Sequence, residues 1–78
     1  MTGEDALVMI RAALTKVSPG AGDVITFETD LVEDGVLDSL DLMNFVFQLE
    51  QMRGTRIDAI DETFDDFRVA RLVAILSD

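Results

Sequence analysis

Residues 34–41 read DGVLDSLD, and the fold prediction depends on this stretch. Asp38 is a favourable N-cap residue because its carboxylate can accept a hydrogen bond from an unpaired amide of the first helical turn, and Asp41 follows three residues later. The apolar residues that follow recur at helical spacing, namely Leu42, Phe45, Val46, Leu49 and Met52. Gly54 is typical of the left-handed residue that ends a helix. These signals predict a helix from residue 38 or 39 to about residue 53.

The segment before this helix contains a first predicted helix and a long connection. Apolar residues at positions 7, 10, 14 and 17 define a helix over residues 4–17, with Thr2 and Asp5 as its capping pair. Ser18-Pro19-Gly20 then stops this helix. Residues 21–37 mix turn formers with apolar residues, so we expect a loop that is attached to the core by its apolar side chains. Loops of this length are uncommon in compact domains unless they are functional.

The last third of the chain predicts one short helix and one longer helix. Residues 57–63 can form a short helical turn around Ile60, and the last helix is expected to begin near Thr63, which would pair with Asp66 as a second capping box. The predicted fold class is therefore all-α: a small helical bundle of three main helices plus one short helix, with a long loop between the first and second main helices. A chain of 78 residues has room for a single domain, residues 1–78.

The composition argues against several classes of function. The chain has no cysteine and no histidine, so it lacks a thiolate nucleophile, an imidazole base and cysteine metal ligands, and we expect neither an enzyme nor a metal site. The net charge of −10 disfavours nucleic acids and favours partners with basic docking faces. The longest apolar runs, residues 6–10 and 72–76, are too short to span a membrane, so we expect no membrane insertion and a cytoplasmic location.

Ser39 is the residue of greatest chemical interest. It stands at the predicted helix start, directly after Asp38 and before Leu40. A phosphate esterified to its hydroxyl would lie where unpaired amides and the helix dipole stabilise anions. The simpler interpretation, which spacing alone favours, is that Ser39 only caps the helix.

The chain resembles the acyl carrier protein family, which includes the peptidyl and aminoacyl carriers. The matching positions are Asp30-Leu31, residues 34–41, Phe45-Val46, Leu49-Glu50 and Ile57. Length, acidity, lack of cysteine and helix order extend the resemblance over essentially the whole chain. The Asp-Ser-Leu triplet at a helix start is its most specific element.

This resemblance implies that Ser39 carries a covalent 4′-phosphopantetheine group. A phosphopantetheinyl transferase would add the group from coenzyme A with Mg²⁺, reading Asp38 and Leu40, and the new thiol would hold acyl or aminoacyl cargo as a thioester. The chain would then be a monomeric carrier on which other enzymes act: an acyl- or aminoacyl-loading ligase and a downstream synthase or transferase. The implied partner-binding residues are Asp38, Leu40, Asp41, Met43, Phe47 and Glu50.

Two questions stay open at this point. Leu40, Met43 and Phe47 lie beside the apolar stripe of their helix, and they could either pack in the core or form the contact surface. Asn44, Gln48 and Gln51 occupy positions that are often acidic in fatty-acid carriers, which favours a specialised carrier with short, polar or aminoacyl cargo. The pathway could be fatty-acid, polyketide, peptide or aminoacyl.

Two alternatives come from other classes of protein. An acidic adaptor domain without modification would account for the charge and the helices, although it leaves the Asp-Ser-Leu triplet unexplained. A calcium-binding loop would use residues at positions one, five, six, nine and twelve of the EF-hand pattern, namely Asp30, Asp34, Gly35, Asp38 and Asp41. In that loop Val32 occupies position three, where an oxygen ligand is needed.

Overall fold

The computed structural model describes residues 2–60 and 64–77. Its helices in chain order are α1 (Gly3–Val17), α2 (Ala21–Val24), α3 (Ser39–Arg53) and α4 (Val69–Ser77). The prediction of an all-α bundle with three main helices, one short helix and a long first connection is confirmed. Within the described residues, no helix is long and apolar enough to cross a membrane.

Helix α1 packs against each of the other helices and forms the centre of the core. The Thr2 hydroxyl accepts a hydrogen bond from the amide of Asp5 at 3.1 Å, which confirms the predicted cap. One face of the helix is fully buried, and it consists of Ala6, Ile10, Ala13 and Leu14. Helix α3 contributes Phe45 and Leu49 to the same core, and α4 contributes its apolar face.

The short helix lies elsewhere than predicted. It is α2, inside the first connection, whereas the described residues around Ile60 form only a turn, and residues 61–63 lie outside the described part of the chain. Helix α2 approaches α1 so closely that a Cβ atom on Gly22 would lie 2.8 Å from the carbonyl oxygen of Arg11. The Arg11 guanidinium donates to the carbonyl oxygens of Gly22 at 2.8 Å and Ile25 at 3.4 Å. These contacts join residues that are far apart in the sequence, so no local pattern predicts them.

The predicted start of the last helix near Thr63 is also wrong. Thr63 itself lies outside the described residues, but residues 64–68 are not helical and α4 begins at Val69. The predicted capping box includes Thr63, so within the described residues only the contacts of Asp66 can be given. Its carboxylate accepts hydrogen bonds from the side chain of Arg68 at 2.6 and 2.8 Å, and these hold the pKa of Asp66 at about 2.

Backbone hydrogen bonds connect the long loop to the beginning of α4. The amide of Leu31 donates to the carbonyl of Phe67 at 3.0 Å, and the amide of Val69 donates to that of Thr29 at 2.8 Å. The amide of Ala70 donates to the carbonyl of Phe27 at 2.9 Å. The loop also buries three apolar side chains, Ile25, Leu31 and Leu37, as the sequence predicted. The segment that leads to α3 is therefore held both by backbone hydrogen bonds to residues 67–70 and by its own buried apolar side chains.

Candidate functional site

At the start of α3, the capping residue is Asp38 and not the neighbouring serine, Ser39. Asp38 has an extended backbone (φ −85°, ψ −177°), and its Oδ1 accepts a hydrogen bond from the amide of Asp41 at 2.8 Å. Its carbonyl oxygen accepts from the amide of Leu42 at 2.9 Å. Asp38 is thus the N-cap, as predicted, and Ser39 is the first residue of the helix proper. The interpretation that Ser39 serves only as the cap is not supported.

Ser39 has the accessibility that a covalent attachment point requires. Asp38, Ser39 and Leu40 are all exposed, and the Ser39 hydroxyl makes no hydrogen bond within residues 2–60 and 64–77. A phosphodiester on this hydroxyl would lie at the positive end of the α3 dipole, beside amides of the first turn. The carboxylate of Asp38 opposes a second negative charge there, but it is exposed to solvent and engaged with an amide. These residues therefore fit a phosphopantetheine group.

The loop before Ser39 is fixed by its own acidic side chains. Asp30 Oδ1 accepts hydrogen bonds from the amides of Val32 and Glu33, both at 2.9 Å. Asp34 Oδ2 accepts from the amide of Asp30 at 2.9 Å, and Gly35 adopts a left-handed backbone at φ 74°. In the described part of the chain, no three acidic residues lie close enough together to hold a metal ion. Of the acids in the hypothetical calcium loop, Asp30, Asp34 and Asp38 each accept a hydrogen bond from a nearby backbone amide.

An apolar surface follows the serine along α3. Leu40, Met43 and Phe47 have 78%, 73% and 54% of their surface exposed, respectively. The question whether they pack in the core is therefore answered: they face solvent, and we call these three residues the α3 face. Large exposed apolar side chains at helical spacing are typical of an interaction surface. Among the predicted partner-binding residues, Asp41 lies beside this face and is partly buried.

Glu50 has a structural contact that the sequence did not indicate. Its Oε2 accepts a hydrogen bond from the amide of Ile57 at 2.8 Å, and Ile57 is buried. This bond holds the chain after α3 against the end of the helix. Docking of a partner at Glu50 stays a prediction, but at least one of its carboxylate oxygens is already engaged.

An open groove lies at the end of α3, on the far side of Phe47 from Ser39. Its volume is about 400 Å³, and it is lined by Phe47, Glu50, Gln51, Gly54, Thr55 and Arg56. The chain turns there because Gly54 has a left-handed backbone at φ 78°. Thr55 and Arg56 were not predicted as site residues, and no pattern in the sequence marks them, because they lie beyond the helix and reach the groove only through this turn.

No family model, curated protein or solved structure matches the chain. Assignment of a function therefore depends on the residues around Ser39 and on their geometry.

Proposed function

We propose that this protein is a carrier that holds acyl or aminoacyl groups on a 4′-phosphopantetheine arm attached to Ser39. The observation that best supports the proposal is that the helix cap and the exposed hydroxyl at the start of α3 belong to two different residues. Asp38 provides the cap, and Ser39 presents an exposed hydroxyl that makes no hydrogen bond within the described residues. If Ser39 were present only as the helix cap, its hydroxyl would accept the amide hydrogen bond that Asp38 accepts instead.

The attachment reaction transfers a phosphoryl-linked group from coenzyme A to the serine. The Ser39 oxygen forms a bond to the phosphorus of the pantetheine phosphate, while the bond from that phosphorus to the bridging pyrophosphate oxygen breaks. The serine proton leaves to a base of the transferase, adenosine 3′,5′-bisphosphate departs, and Mg²⁺ on the transferase neutralises charge on the phosphates. The added group supplies the thiol that the cysteine-free chain lacks and that forms a thioester with the cargo.

The protein itself contributes presentation and recognition in this proposal. The fixed loop and the α3 cap hold Ser39 in one place, which lowers the ordering cost when the transferase binds. The α3 face provides apolar contact, and Asp38 and Asp41 attract basic side chains on the transferase and on the loading and downstream enzymes. We expect a specialised carrier that works as a monomer in the cytoplasm.

Mass spectrometry after incubation with a phosphopantetheinyl transferase, coenzyme A and Mg²⁺ tests the proposal. The wild-type protein should gain the mass of one phosphopantetheine group, and Ser39→Ala should gain none. The chain offers matched controls, because its two other serines are Ser18 and Ser77. Ser18→Ala and Ser77→Ala should be modified as fully as the wild type. Absence of the mass increase in the wild type, or its persistence in a folded Ser39→Ala protein, would refute the assignment.

A further inference from the structure

We propose that the groove at the end of α3 receives the distal, thiol-bearing part of the arm on Ser39, so that short polar cargo rests on the surface of the bundle. This inference depends on the proposed function, and it adds a second contact site for the same group. The groove residues concerned are Phe47, Gln51, Thr55 and Arg56.

The attachment point and the groove share one side of α3. At 3.6 residues per turn, Ser39, Met43, Phe47 and Glu50 all fall within an arc of about 80° around the helix axis. Met43 and Phe47 are exposed along this arc, and Phe47 also lines the groove. An arm that leaves Ser39 along the helix therefore runs over the α3 face directly into the groove.

The length of the arm matches this path. About 14 covalent bonds separate the Ser39 oxygen from the thiol sulfur, and at about 1.2 Å per bond an extended arm spans ~17 Å. With a rise of about 1.5 Å per residue, Phe47 lies ~12 Å and Gln51 ~18 Å along the helix from Ser39. The thiol end thus falls between these two residues, at the position of the groove.

The groove offers the contacts that such an arm can use. The arm contains two amide groups between short methylene segments, so it needs both hydrogen-bond partners and apolar contact. Phe47 forms an apolar wall, while Gln51 and Thr55 are exposed and provide an amide and a hydroxyl. The side chain of Arg56 is 82% exposed and lies 3.9 Å from Asp58, so its guanidinium is accessible to a carbonyl oxygen of the arm or its cargo.

The interior offers a less favourable location for cargo. Phe45, Leu49 and Leu72 are fully buried between the helices. Close-packed interiors must separate to accept additional methylene groups, whereas an open groove accepts them without rearrangement. Short polar cargo can therefore stay in the groove, where Gln51, Thr55 and Arg56 provide polar partners, without any separation of the core.

Thiol reactivity provides a direct test, because the arm carries the sole thiol of the modified protein. The modified protein is first verified by mass and then treated with an uncharged alkylating reagent. We expect the thiol to react at least about twofold more slowly than free phosphopantetheine, which corresponds to an arm docked for half of the time. Gln51→Trp, which fills the groove, should restore the faster rate. The control Ala12→Trp, at an exposed position of α1, should not.

Nuclear magnetic resonance spectra of the unmodified, modified and glycyl-loaded proteins provide the second readout. Amide shifts at Gln51, Gly54 and Thr55 that disappear in Gln51→Trp are the expected result. Equal alkylation rates in the wild type and both tryptophan variants, or glycyl-dependent shifts at the buried Ile10 and Leu49, would overturn the groove proposal while leaving the carrier proposal intact. Failure of the modification itself would refute the proposed function.

Discussion

Replacing either of two adjacent residues, Asp38 and Ser39, by alanine should have opposite consequences for stability and modification. Asp38→Ala removes the 2.8 Å hydrogen bond to the amide of Asp41, which is the side-chain cap of α3. Loss of such a cap costs about 1 kcal/mol of unfolding free energy. With about 2.1 cal/mol/K of unfolding entropy per residue, a chain of 78 residues should lose ~6 °C in melting temperature.

Ser39→Ala should be close to neutral for the fold. The serine is exposed and its hydroxyl makes no hydrogen bond within the described residues, so the change should stay within about 0.5 kcal/mol, or ~3 °C. The same variant should lose all capacity for phosphopantetheine. Asp38→Ala keeps the acceptor hydroxyl and should still be modified at temperatures where it is folded, but more slowly, because Asp38 is one of the acids proposed to attract the transferase.

Thermal unfolding followed by circular dichroism at neutral pH measures the difference, and mass spectrometry measures the modification. Asp38→Asn serves as the control because asparagine retains an oxygen acceptor for the amide of Asp41 and is itself a good N-cap. The reasoning is refuted if Ser39→Ala lowers the melting temperature as much as Asp38→Ala does, since the serine would then be the structural cap.

The other contacts described above make three further predictions. Glu50→Ala should cost about 1–3 kcal/mol in chemical denaturation because it leaves a loop amide unpaired, and Glu50→Gln should retain most of this stability. The side chain of Arg68 lowers the folded-state pKa of Asp66 to about 2. The ionised Asp66 therefore stabilises the fold above about pH 4, and this stabilisation is lost as the pH falls towards 2. Urea unfolding at several pH values should show that Asp66→Asn lacks this loss of stability. Met43→Ala should accelerate dissociation of a bound phosphopantetheinyl transferase in surface plasmon resonance, whereas Val8→Ala, a truncation of another largely exposed apolar side chain on α1, should not.

The sequence predicted those parts of the fold that depend on neighbouring residues. The caps at Thr2 and Asp38 and the glycine that ends α3 involve contacts within three or four residues, and each lies where the pattern placed it. Helix α2 depends on Arg11, which reaches carbonyl groups 11 and 14 residues away. The late start of α4 follows from pairing of residues 67–70 with the long loop. Such distant pairings leave no periodic signal in the chain.

In the candidate site, too, the features that depend on neighbouring residues could be predicted and those that depend on distant contacts could not. The position of Ser39 at the helix start could be predicted because the cap that defines it is local, and the spacing of Leu40, Met43 and Phe47 indicated a shared flank. Whether this flank was buried depended on where the other helices pack, which the pattern could not decide. The contact between Glu50 and the amide of Ile57 forms only because the chain reverses at Gly54.

The pairing of residues 27–31 with residues 67–70 has a consequence for the order of events during synthesis. The paired segments lie about 40 residues apart, so the loop that positions Ser39 emerges from the ribosome before its partners do. Until residues 67–70 emerge, nothing fixes that loop at their end of the bundle. A nascent chain should thus hold the loop before Ser39 in its final arrangement only after residues 67–70 have emerged and α4 has begun to form.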